Sequence, residues 1–62
     1  MNTRQSLIEI AIVNSFAFGK EGNKELSDFW MNQAALIADN DPALLKFMEA
    51  VALINVVKSL KQ

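Results

Sequence analysis

The side chains that could do chemistry in this sequence are few and badly spaced for it. There is no His and no Cys. That removes thiolate nucleophiles, imidazole acid–base work and nearly all zinc sites. A metal site would have to be built from oxygen ligands alone. The best candidate is Asp39 with Asp41 and the more distant Asp28. A calcium loop needs further oxygens at alternate positions, a turn glycine and a closing Glu. Pro42-Ala43-Leu44 supplies none of these, so the aspartates read as helix caps and a solvated turn.

Glu9 sits inside an apolar stretch and has neither a nucleophile nor a second carboxylate at useful spacing. It reads as a rim residue, or as the partner of Arg4 or of a lysine on another subunit. Lys20-Glu21-Gly22-Asn23-Lys24 is rich in Gly and Lys. It lacks the G-x-x-x-x-G-K-[ST] spacing that cradles phosphates. Phe16, Phe18, Phe29, Trp30 and Phe47 could line an aromatic cage, but helical core packing is the commoner use of such residues. No catalytic residue, cofactor site or metal site is assigned, and the chain is expected to be non-enzymatic.

Partners are constrained by charge. Six Lys+Arg against seven Asp+Glu give a net charge of -1. Such a chain does not bind nucleic acid or an anionic membrane by charge alone. No unbroken apolar run is longer than Ala50–Ile54, far below the ~18 residues of a spanning helix. Arg4 before an apolar stretch has a faint look of a secretion signal. Glu9 interrupts it and Phe16-Ala17-Phe18 is a poor cleavage site. The expected location is cytoplasmic.

The elements that carry these residues read as three helices in one domain over residues 1–62, an all-α fold. The first spans about 3–18 and is ended by Gly19 and Gly22, with Gly19 placed where a left-handed cap is needed. Ile8, Ile10 and Ile12 alternate like a strand, but no second β-rich run exists to pair with one. The second helix spans about 24–38, capped by Asn23, with Leu26, Trp30, Ala34 and Ile37 along one face. The third spans about 42–60, where Asp41 followed by Pro42 makes a strong start. The short Asp39-Asn40 connection predicts an antiparallel hairpin of helices two and three, with helix one packed across it.

The third helix carries the most informative pattern. Leu44, Met48 and Val51 define an apolar direction in its first half. In the second half that direction is taken by Asn55, Lys58 and Ser59, and the apolar residues Leu53, Ile54, Val56, Val57 and Leu60 lie on nearly the opposite side. One flat core cannot cover both faces. Helix one is apolar around most of its circumference, which implies burial on several sides. In a chain of 62 residues, burial and ordering cost nearly cancel, so assembly is the natural further source of stability. A homo-oligomeric helical bundle is expected, most simply a dimer, with Ile8, Ile12, Leu53, Ile54, Val56, Val57 and Leu60 in its seam. Asn14 and Asn55 would either set its register or lie at its edge.

The function expected is that of a small interaction protein, an adaptor, inhibitor or regulator that binds an unidentified protein partner. Phe18 is a candidate exposed anchor, and Lys20 and Lys24 are candidate partner contacts. Two other classes fit less of the sequence. One is a small-ligand-binding or sequestering oligomer with pockets between subunits, its anionic ligand held by Lys20 and Lys24. The other is a membrane-surface peptide.

Overall fold

The computed structural model describes residues 3–61 of the chain. Those residues form three helices, α1 (Thr3–Lys20), α2 (Lys24–Ala38) and α3 (Pro42–Leu60). The isoleucine-rich first segment is therefore helical.

Helix ends are set by specific residues. Gly19 lies inside α1, which runs two residues past its expected end at 18. The left-handed residue is Gly22, at φ 82°. The Gly22 amide donates to the Gly19 carbonyl at 3.1 Å and the Asn23 amide to the Phe18 carbonyl at 2.9 Å. This is the paired closure of a Schellman motif, with its αL position one step past the cap. Asn23 then starts α2, its side chain accepting from the Leu26 amide at 3.1 Å. One residue thus finishes one helix and opens the next.

At the far end of α2, Asp39 and Asn40 both adopt positive φ, 49° and 60°. Asp and Asn tolerate that region better than other side chains. Asp41 follows as N-cap, its carboxylate accepting from the Ala43 amide at 2.9 Å. Pro42 takes the first helical position, where a missing N–H costs nothing.

The core is small. Its buried apolar residues are Ile8, Ala11, Ile12, Ala34, Ala38, Leu44 and Val51, with Phe16, Trp30, Met31, Ile37, Phe47, Met48 and Ala52 packed partly against them. Three of the seven are alanines. The principal helix pair is α1 with α2, α1 with α3 is weaker, and α2 touches α3 least. The expected α2–α3 hairpin is therefore not where most packing lies.

The α1–α2 pairing rests on small residues. Ala11, Ser15 and Gly19 recur every fourth position along α1, placing them in one row. Ser15 is buried, and its hydroxyl donates to the Ser27 carbonyl across the interface at 2.7 Å. A Cβ at Gly19 would stand 3.3 Å from Ser27 Oγ.

The accessible surface is 4541 Å², whereas a compact monomer of this mass exposes about 4,000 Å². The radius of gyration, 11.3 Å, also exceeds the roughly 10.5 Å expected for this length. Both values lie somewhat above the averages for compact monomers of this size.

Candidate interaction surface

The excess exposure has an address. In the first half of α3, Leu44 and Val51 face the core and are buried. Four residues on from Val51 the same helical direction is occupied by Asn55, then by Lys58 and Ser59. All three line a depression of about 220 Å³ against Val13, Phe16, Ala17 and Lys20 of α1. Asn55 is half-buried there, while Lys58 and Ser59 border the depression and stay exposed.

The apolar side of this half of α3 points out. Leu53 is 64% exposed, Ile54 53%, Val56 42%, Val57 42% and Leu60 81%. These five side chains leave on the order of 500 Å² of apolar surface uncovered, toward the top of the ~300–600 Å² found for the largest patch on a typical monomer. The inversion of polarity within one helix, expected from its periodicity, is present in the fold.

Ile8 and Ile12 do not join that surface. Both are 0% exposed within a single chain, so they cannot form the seam with a second copy that was expected of them. They occupy the side of α1 that meets α2 and α3. The outward side of α1 carries Leu7 and Ile10, both exposed. An all-round apolar helix offers no periodic cue to which side goes in, and that is why the expectation chose the wrong isoleucines.

Phe18 is half-buried and is not a projecting anchor. Its backbone carbonyl is engaged in closing α1. Lys24 reaches Asp28 one turn along α2 at 2.8 Å. The hydrogen bond and charge of Asp28 raise the lysine's pKa above its ordinary value. Both side chains of that pair are exposed. Lys20 is exposed and lines a second depression of about 380 Å³ with Ser15, Phe16, Gly19, Ser27, Asp28, Met31 and Ser59. Two lysines converging on one anion do not emerge from this arrangement.

Asn55 is half-buried and donates its amide to the Val51 carbonyl at 2.8 Å. With a partner on its own helix and a place on the inner face, it has no part in the outward surface. Glu9 is exposed. Asp39 and Asp41 serve as turn and cap residues. Among the described residues, no group of three or more carboxylates stands where it could hold a metal ion. Nor is any described helix long and apolar enough to cross a membrane.

Ser15 and Ser27, which align α1 on α2, were not singled out from sequence, and Gly19 was read only as a helix end. Small residues add little to a hydropathy pattern. The four-residue spacing of Ala11, Ser15 and Gly19 was the available signal.

Comparison of the chain with protein-family models, with curated proteins and with solved structures finds no match in any of the three. The reading of function rests on the residues themselves.

Proposed function

We propose that this chain is a non-enzymatic interaction protein that works by presenting the outward face of α3 to a protein partner, itself as part of a homo-oligomer. The observation that carries the reading is the outward placement of Leu53, Ile54, Val56, Val57 and Leu60, all at least 42% exposed. Apolar side chains clustered at that density are the usual centre of a protein–protein contact. The polar Asn55, Lys58 and Ser59 lie on the other side of α3, along the depression that borders α1.

The test compares the wild-type chain with Leu53→Gln/Leu60→Gln. Both changes replace exposed side chains, so the helical circular dichroism should persist. Wild-type chain should form a defined complex, with itself or with a protein retained from its source, that survives gel filtration. The double variant should lose it. Complex formation unchanged by the two substitutions would remove α3 as the contact surface and the reading with it.

A further inference from the structure

We infer that the occupant of the α3 face is a second copy of the same chain, lying antiparallel along it. The inference rests on the reading of that face as a contact surface and specifies what fills it.

Three observations favour a second copy. The first is demand. A core of seven buried apolar residues, three of them alanine, leaves the face uncovered whenever the chain is folded. A permanent requirement for cover is met most directly by the one partner always present when this chain is made. The second is extent. Two copies meeting through this face would together bury at most on the order of 1,000 Å², at the low end for a specific interface. The surface in excess of a compact monomer is of the same size as one copy's share.

The third is charge, which selects the orientation. At about 100° per residue, Lys46 and Glu49 fall on the same outward side of α3 as Leu53, Val56 and Leu60. Both are exposed. A parallel pairing in register would set Lys46 against Lys46 and Glu49 against Glu49, each a like-charge contact. An antiparallel pairing separates them. With Leu53 opposite Val56 of the partner subunit, Glu49 comes opposite Leu60 of the partner subunit. That places Glu49 at the C-terminal end of the other helix, beside Lys61 of the partner subunit. The helix dipoles are then opposed as well.

Such a two-fold contact is isologous and closes on itself, so it yields a dimer and not a filament.

The experiment uses sedimentation equilibrium and engineered cysteines, which are clean probes because the chain has none. Wild-type protein is expected to be dimeric at micromolar concentration. Val57→Asp should weaken the dimer by ~100-fold or more, since a charge buried unpaired at an interface is strongly disfavoured. Circular dichroism and Trp30 fluorescence report whether that variant still folds. If it does not, Leu60→Gln serves as the second variant, at the most exposed position.

For orientation, Glu49→Cys and Leu60→Cys chains are mixed and oxidised under mild conditions. A disulfide needs Cα atoms within about 7 Å. The antiparallel seam yields the mixed 49–60 disulfide, identified by mass, and no 60–60 product from Leu60→Cys alone. A 60–60 disulfide in place of the mixed one would overturn the antiparallel arrangement while leaving α3 as the contact. A dimer indifferent to Val57→Asp and to Leu60→Gln would overturn this inference and the reading of the face together. A wild-type chain still monomeric at about 200 µM would overturn the second copy alone, and the face would then have to serve a different protein.

Discussion

The Ser15 hydroxyl donates to the Ser27 carbonyl across the α1–α2 interface at 2.7 Å, and its oxygen also lies 3.2 Å from Ser27 Oγ. Ser15 is buried. Its bond to a neighbouring helix satisfies a polar group that would otherwise be costly there. It also brings two backbones close enough that Gly19 has Ser27 for a neighbour. Ser15→Ala should therefore cost about 1 kcal/mol, the typical net value of one such bond. Ser15→Leu should cost more, since it loses the same bond and its added bulk must push against Ser27, whose hydroxyl lies 3.2 Å from that of Ser15. Urea denaturation followed by Trp30 fluorescence measures both. Equal stability of wild type and Ser15→Leu would mean that the helices are not in close contact at this point.

Gly19 and Ser27 should be energetically coupled. Ala in place of a helical Gly ordinarily stabilises by about 1 kcal/mol. Here the added Cβ would meet Ser27 Oγ at 3.3 Å, closer than an unstrained contact. Gly19→Ala alone should therefore yield little. In a Ser27→Ala background, where that oxygen is gone, the same change should recover most of the ~1 kcal/mol. A double-mutant cycle reads the difference, and simple additivity would contradict the proximity.

The two turns should respond in opposite ways to substitution. Gly22 holds φ at 82°, a region that costs a residue with a Cβ roughly 1–2 kcal/mol. Gly22→Ala should destabilise by about that amount. Asn40 holds φ at 60° with a side chain present, so Asn40→Gly should be neutral or mildly stabilising. Thermal melts at matched protein concentration compare the pair.

Asp41→Ala should cost about 1 kcal/mol by removing the acceptor for the Ala43 amide. The substitution leaves Pro42 in place, so the helix should still begin there and lose stability without shifting its start. Hydrogen exchange at Leu45, whose amide bonds the Asp41 backbone carbonyl at 2.9 Å, would stay protected if only the side-chain cap is lost.

What could be read from sequence divides along physical lines. Caps were legible because they use specific chemistry at fixed offsets: Asn23 before Lys24-Glu25-Leu26, and Asp41 before Pro42. The inversion along α3 was legible because bulky residues at helical spacing state their direction. The choice between Gly19 and Gly22 as terminator was not legible, since both lack a Cβ and only the closing hydrogen bonds at Phe18 and Gly19 decide. The dominance of the α1–α2 pair was hidden in Ala11, Ser15 and Gly19, whose contribution is closeness and not hydrophobicity. Ile8 and Ile12 could not be told from Ile10 because every side of α1 is apolar.

Asn55 offers the sharpest check on which side of α3 faces which neighbour. Its amide is satisfied by Val51 one turn back, and it borders the depression of about 220 Å³ walled by Val13, Phe16 and Ala17. Asn55→Leu would place an aliphatic side chain against those walls and also raise helix propensity. Both effects favour the folded chain, together by about 1 kcal/mol. The substitution lies on the side of α3 away from Leu53 and Leu60, so the dissociation constant of the proposed dimer should stay within a few-fold of wild type. Urea melts of the two proteins, paired with sedimentation equilibrium, separate the terms. A large change in association with little gain in chain stability would place Asn55 in the seam between copies, and would turn the C-terminal half of α3 the other way round.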